Sequence, residues 1–512
     1  MFRRVRKSPI SGESALSPGR SLHHQAVRKA HRRVMDRLVM PPVRDFPRWF
    51  LLGVLICAPW AYGSTRPWTL DVLRILLLVL AVVFVLSLVI DRRLPHVPRM
   101  AAGLVIGLLG LGWWMTFNAR AAFDPVGPQF HEIGAFVSWL PGAMDQKRSL
   151  SSMLLVTGMM GAFATAADML GSAKWRNRLW LAVALIGLSL VVFGVIQRVS
   201  GAKSIFWVWG DRTGSTFFAT FRYHANAGAF MNLVIPFILG RTLWVLRQDA
   251  GQISKAFWCL ASFIAVAAAF MNISRAAMAI TVALLGVFAL WCVVFERKGS
   301  PHESRHRFWW LKGLGILLAI AVLSCAFGLD QSLAKWLSPS RNDTLVSNLR
   351  YQVYDIIWQK TLPFVGWGGS GPGTFEMVFP LSIKEAGNDA VGRWYWVNAH
   401  QDYLQTLTEW GVPGGILWGG LILGGLGGGI WRLLKRRSQG RSETRYLLLA
   451  GCLALMGVSL HALVDFPLQI GSLQLYTAMA CAVAWTVGNE DGDISIRRKR
   501  RRAMPQEREE PA

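Results

Sequence analysis

In an apolar chain the ionisable residues are the informative ones, because a charge placed beside lipid is costly and marks function. His400 stands in Asn398-Ala399-His400-Gln401-Asp402-Tyr403, with Glu409-Trp410-Gly411-Val412-Pro413-Gly414 following. Imidazole changes charge near neutral pH, so it suits a general base acting on a hydroxyl nucleophile. A histidine that caps or bridges a helix start is the alternative. Arg275 follows Asn272-Ile273-Ser274 at the edge of an apolar run. Its guanidinium suits either a bidentate grip on a pyrophosphate or a snorkelling contact with lipid phosphate. Arg212 and Arg222, with His224 and Asn226, cluster just ahead of another apolar run, where the same two readings apply. Arg350, Gln401 and Asp465 are candidates for supporting roles, and His461 lies inside an apolar run. Trp394, Tyr395 and Trp396 have the faces to stack on sugar rings, or to sit in an interfacial aromatic belt.

The elements that must position these residues follow from composition. The chain has 512 residues, 53% hydrophobic and 16% charged, with a mean hydropathy of +0.35. An average soluble domain carries about 25% charged residues. This excludes a soluble globular enzyme, a disordered chain, a collagen-like repeat and a disulfide scaffold, and leaves an all-α polytopic membrane protein. Runs long enough to cross a bilayer lie at 47–64, 69–90, 99–118, 151–171, 179–197, 225–246, 256–273, 276–295, 311–329, 411–431, 446–466 and 472–488, about twelve in all. The pair 256–273 and 276–295 reads as a tight helical hairpin around Ser274-Arg275. With the N-terminus cytoplasmic, 39 of the 55 Lys and Arg fall in inner segments, which places both termini inside. The formal charge of +26 is then largely topology, and nucleic acid is not expected as a partner.

Three domains are expected: a basic cytoplasmic tail at 1–48, a transmembrane unit at 49–488, and a charged cytoplasmic tail at 489–512. The outer loops are 119–150, 198–224 and 330–410. The last stands before the tenth span, is rich in tryptophan, and is expected to be partly helical and to cover an outward-facing cavity. The six cysteines all lie in apolar runs without CxxC spacing, which predicts neither a disulfide nor a metal site. No GxxxxGK[ST] phosphate loop occurs, and Asp491-Gly492-Asp493 reads as a solvated linker. Gly366, Gly368 and Gly371 resemble GxGxxG but follow no strand of a βαβ unit, so a tight turn is expected instead. The glycines from Gly414 to Gly425 suit close helix packing. No cofactor is expected.

These residues resemble the O-antigen ligase and O-antigen polymerase superfamily of bacterial membrane glycan transferases. His400-Gln401, nine residues, then Gly411-Val412-Pro413-Gly414 is similar to its H[NSQ]-x9-G-x-x-[GTY] signature. Ser274-Arg275, the stretch from Arg212 to Asn226, Gly366 to Phe375, and His461 to Phe466 resemble further elements in the family's order. The resemblance spans roughly 212–470, and the stretch from Phe217 to Asn226 departs from the Asn-Pro-Asn that many relatives show.

The resemblance implies a metal-independent, inverting glycosyltransferase of the bacterial inner membrane with a periplasmic active site. The donor would be a glycan on undecaprenyl pyrophosphate and the acceptor a hydroxyl, with lipid A core as the leading choice. His400 would deprotonate or orient the acceptor. Arg275, with Arg212 or Arg222, would hold the departing pyrophosphate. His224, Asn226, Arg350, Gln401 and Asp465 would support them. A polymerase or a protein O-oligosaccharyltransferase would share this catalytic half. A transporter predicts related halves, and no internal repeat is seen; an envelope scaffold would leave His400 and Arg275 replaceable.

Overall fold

The computed structural model describes residues 45–124, 126, 129–134, 136–208, 217–296, 341–435 and 442–488. Arg212, Cys325, the expected span at 311–329, the expected tail at 489–512 and nearly all of that at 1–48 lie outside the described residues. What is described is all-α and polytopic, apart from one small hairpin.

Helix α1 (Asp45–Trp60) ends just before Gly63, which turns the chain through the left-handed region at φ 62°. Helix α2 (Pro67–Ile90) opens on a proline, whose fixed φ suits the first helical position. Its 24 residues rise about 36 Å, enough to cross a hydrocarbon core of about 30 Å. After α3 (Arg99–Phe117) comes the antiparallel hairpin β1 (Ala121–Asp124) and β2 (Gln129–Glu132), a feature that the apolar runs do not signal. Then follow α4 (Gln146–Leu170), capped by Asp145, α5 (Ala173–Val199), α6 (His224–Arg247), α7 (Gln252–Met271) and α8 (Arg275–Glu296). A cap of short helices comes next: α9 (Arg341–Ile356), α10 (Leu362–Val365), α11 (Phe375–Ala386) and α12 (Asp389–Gly392). The chain ends with α13 (Asp402–Lys435), α14 (Glu443–His461) and α15 (Gly471–Thr486).

Among the described residues nine helices are long and apolar enough to cross a membrane: α2 to α8, α13 and α14. Helices α1 and α15, at 16 residues each, are shorter than the spans expected over their residues. Two boundaries differ from the sequence expectation. Helix α13 begins at Asp402 rather than near 411 and passes through a kink at Gly411. Helix α14 stops at His461 rather than near 466, and Phe466, which precedes Pro467, is not helical. That early stop frees Asp465 from the helix.

The bundle is built around α6, which packs on α5, α7, α8 and α14 and is buried without interruption from Ala225 to Gly240. Helix α2 is the reverse. It buries one stripe, Leu73, Leu77, Leu80, Phe84 and Ser87, against its neighbours. Its other face leaves Val72, Ile75, Val79, Val82 and Val85 exposed. A contiguous apolar face turned outward marks contact with lipid or protein, and on a helix of spanning length it suits lipid. The cap has its own small core of Val353, Ile357, Phe375, Phe379 and Val391. The expected folded segment with short helices is therefore present over 341–401.

Candidate active site at the His400 end of the bundle

His400 lies two residues before Asp402, the first residue of α13, where the cap returns to the bundle. Its backbone is left-handed at φ 55°, a rare state for a residue with a side chain. The cap holds it there. The Tyr354 hydroxyl on α9 donates to the His400 carbonyl at 2.6 Å, and Ala399 N donates to Gln405 Oε1 at 3.0 Å. The imidazole is gripped edge-to-face by two rings, Trp396 at 5.7 Å and Phe466 at 4.7 Å.

Nδ1 of His400 lies 3.2 Å from Asp465 Oδ1. A carboxylate only accepts, so Nδ1 carries the proton and donates, leaving the Nε2 lone pair as the basic site. Asp465 is only 4% exposed, and its other contacts are also donors. Phe466 N donates to Oδ1 at 3.1 Å and the Tyr223 hydroxyl donates to Oδ2 at 3.2 Å. Arg350 Nη2 donates to the Tyr223 hydroxyl at 2.9 Å, and Arg350 Nη1 to Val464 O at 3.4 Å. Burial pushes the Asp465 carboxyl up. The hydrogen bond from His400 and the charge of Arg350 outweigh it, and the group stays ionised, below the usual carboxylate range. Burial, with the charge of Asp465, pushes Tyr223 up to about 12, so its hydroxyl keeps the proton that it donates.

The turn between α7 and α8 docks on this cluster through the start of α6. Asn272 Nδ2 donates to the His224 carbonyl at 2.8 Å. Ile273 is left-handed at φ 62°, and Ser274 Oγ accepts from Ala277 N at 3.3 Å. This capped turn makes Arg275 the first residue of α8 and confirms the hairpin expected around Ser274-Arg275. His224 follows Tyr223 directly, and their rings meet at 4.9 Å. The chain Asn272–His224–Tyr223–Asp465–His400 thus joins four remote segments. Arg222 is exposed beside it, and Asn226 is buried two residues into α6.

The Gly366–Phe375 turn explains the spacing that follows His400. Gly411 is left-handed at φ 63°, and a Cβ there would lie 2.3 Å from Trp367 O. Gly369 faces it at φ 76°, with its own Cβ direction 2.4 Å from Gly411 N. Only glycine admits this backbone approach. Glu409 tightens it, its carboxylate accepting from Gly373 N at 2.9 Å. Asp402 plays a similar part on the other side, accepting from Leu468 N at 2.8 Å and Gln469 Nε2 at 3.0 Å. Both glycine-rich segments, read in the sequence as a turn and as helix packing, are the joint that fixes the cap to α13.

Other expected residues fall differently. Gln401 accepts from Leu404 N at 3.3 Å and caps its own helix. His461 is fully buried at the end of α14, four residues from Asp465. Trp394 and Tyr395 are exposed and, with Trp396, line a cavity of about 870 Å³ in the cap. Tyr395 donates to Glu376, which pairs with Arg148 at 3.2 Å. A mainly apolar groove of about 420 Å³, with Met159, Phe163, Leu421 and Ile422 among its walls, reaches Asp402 and Tyr403. No group of three His, Cys, Asp or Glu able to hold a metal occurs among the described residues. Tyr223 and Tyr354 are not singled out in the sequence, and Phe466 enters there only as the end of the His461–Phe466 element. Aromatic residues in loops carry no signal of their own, and only the fold shows Tyr223 on Asp465, Tyr354 on the His400 carbonyl and Phe466 against the imidazole.

No curated protein matches the chain. A protein-family model described as O-antigen ligase matches residues 260–419, a stretch that contains Arg275, the glycine turn, His400 and Gly411. Tyr223 and Asp465 lie outside that stretch, and the fold supplies them. The matched stretch supports a membrane glycan transferase of this general type and agrees with the resemblance to the O-antigen ligase superfamily.

Proposed function

We propose that this protein moves a glycan from undecaprenyl pyrophosphate to an acceptor hydroxyl on the periplasmic face of the bacterial inner membrane, with lipid A core as the acceptor. The single observation that carries this reading is the His400–Asp465 pair. A base whose distal nitrogen is oriented by a buried carboxylate is the arrangement that activates a hydroxyl. Nε2 of His400 takes the proton as the acceptor oxygen bonds to the anomeric carbon. The bond from that carbon to the pyrophosphate oxygen breaks, and attack from the opposite face inverts the centre. Asp465 stabilises the imidazolium that forms. Arg275 and Arg222 neutralise the departing pyrophosphate, an electrostatic contribution that grows with the developing charge. The apolar groove beside Asp402 suits the isoprenoid tail. Cytoplasmic termini agree with the distribution of Lys and Arg along the sequence.

The test is His400→Ala and Arg275→Ala, each with the membrane level of the protein checked. The expected result for His400→Ala is loss of surface polysaccharide by about 10²–10⁴-fold in transfer rate, as for removal of a general base. Lipid-linked glycan accumulates as the surface product falls. Long chains on the carrier fit the ligase, whereas single repeat units identify a polymerase instead. Wild-type surface polysaccharide in both variants, at normal protein level, would sink the catalytic assignment.

A further inference from the structure

Three aromatic residues that stand out in the sequence, Trp394, Tyr395 and Trp396, take no part in the chemistry proposed above. All three line the cap cavity of about 870 Å³. That volume falls within the range of about 300–1,000 Å³ usual for ligand sites. Each ring is placed by a different contact. Trp396 Nε1 donates to Val391 O at 3.0 Å, and Val391 is fully buried in the cap core. The Tyr395 hydroxyl donates to Glu376 of α11, and Glu376 pairs with Arg148 of α4 at 3.2 Å. Trp394 is placed by its backbone, whose N–H donates to Val391 O at 3.2 Å. Trp394 is 62% exposed and Tyr395 69%. A large ring left in water contributes little to folding, and two in succession on a built wall mark a binding surface.

The rest of the wall is polar. Lys384, Asp389 and Arg393 line the same cavity and are exposed. A carboxylate in the wall disfavours a simple anion, and the two cations beside it disfavour an acyl chain. The outward face of α2 from Ile75 to Val85, aliphatic and uncharged, shows what suits lipid in this chain. Ring faces beside charged donors and an acceptor suit a saccharide instead. The C–H face of a sugar packs on an aromatic face, and its hydroxyls take the hydrogen bonds.

The cavity also borders the proposed base. Trp396 is both a wall of the cavity and the ring that meets His400 edge-to-face at 5.7 Å. Arg275 and Arg222, placed on the departing pyrophosphate, are not among its walls. They approach from the starts of α8 and α6. A saccharide in the cap cavity therefore meets His400 from the side of Trp396.

We propose that the cap cavity binds the acceptor saccharide, with Trp394 as its stacking platform and Lys384, Asp389 and Arg393 as partners for its hydroxyls. This rests on the glycan-transferase reading above and adds to it where the acceptor is recognised. The donor glycan is the other saccharide in the reaction and shares this chemistry. Trp394 holds the sugar without touching the reacting hydroxyl, so its loss acts on acceptor affinity rather than on turnover.

The experiment uses the full chain purified in detergent, with a glycan on undecaprenyl pyrophosphate as donor and lipid A core as acceptor. Trp394→Ala and Trp394→Phe are compared with the wild type, with thermal melting as the control for folding. The expected result is an acceptor KM raised about tenfold in Trp394→Ala and recovered in part in Trp394→Phe. The kcat and the donor KM do not change. Core saccharide freed of its lipid competes with the acceptor in the wild type, and about tenfold less well in Trp394→Ala. Equal acceptor KM in Trp394→Ala and wild type overturns the cap site and leaves the transferase reading standing. A donor KM that rises in place of the acceptor KM gives the cavity to the donor glycan and overturns the proposal. An effect present in liposomes and absent in detergent makes the rings a bilayer anchor and overturns it too. No transfer to lipid A core by the wild type removes that acceptor from the reading, and the proposal falls with it.

Discussion

Two buried carboxylates, at opposite ends of the bundle, do different work because of their partners. Asp168, near the end of α4, is held by two guanidinium groups and a backbone amide. Arg48 Nη2 donates at 3.0 Å, Arg93 Nη2 at 3.1 Å and His96 N at 3.2 Å. Arg48 also bonds Asp45 at 3.0 Å, and Asp45 accepts from Trp175 at 3.1 Å. Every donor to Asp168 is a permanent cation or a backbone group, and the network closes on itself. It fastens α1, α4 and the segment after α2 to one another. Asp465 instead meets a histidine, a tyrosine and its neighbour's amide, and its arginine stands one residue back, behind Tyr223. A carboxylate clamped by arginines can only hold. A carboxylate paired with imidazole orients a group that can take a proton and release it.

The largest effect that tests this contrast is expected at the closed end. Asp168→Ala leaves Arg48 and Arg93 without their common acceptor, a loss of about 3–5 kcal/mol for a buried pair. The melting temperature of the detergent-purified protein should fall sharply, while the folded fraction keeps its transfer activity. The mirror experiment is Asp465→Asn. An amide there can accept from His400 but no longer stabilises the imidazolium, and activity should fall by about 10²-fold or more, as when a base loses its orienting carboxylate. Melting changes less than for Asp168→Ala. If the two variants exchanged these signatures, the distinction between fastening and chemistry would be wrong.

A smaller effect is expected at the joint between cap and bundle. Gly411→Ala forces a side chain into the left-handed region and against Trp367 O, a cost of about 1–3 kcal/mol in strain alone. Because Gly411 carries the cap that holds His400, both stability and activity should decline together, unlike either aspartate variant. The smallest expected effect is that of Tyr354→Phe. It removes one hydrogen bond to the His400 carbonyl, about 0.5–1.5 kcal/mol, so activity should drop by no more than about tenfold with melting nearly unchanged. A loss as large as that of His400→Ala would assign Tyr354 a direct part in the reaction.

The sequence made the helices legible because lipid imposes length and apolarity on each of them separately. Helix α2 needs no partner to be recognised, since a predominantly apolar run of about twenty residues has few other uses. The His400 signature, the Ser274-Arg275 hairpin and the glycine turn were legible for a related reason. Each is a local string whose residue types are demanded by backbone geometry or by exposed charge. Asp465 was visible as a charge near a span, but not its partner, and the early end of α14 that releases it was read four or five residues late.

What the sequence by itself determined is the class of protein, its helical runs, and a short set of arginines and histidines able to handle phosphate and protons. The tertiary structure alone decided which of them meet. Tyr223, Arg350, His400 and Asp465 are separated by up to 242 positions and converge because α6 packs between α14 and the turn that begins α8. Arg66, in the turn before α2, lines a cavity beside this cluster with no motif to announce it. The physical reason is that hydropathy and helix periodicity act over one turn or one span, whereas a hydrogen-bonded site depends on packing between helices that are remote in the chain.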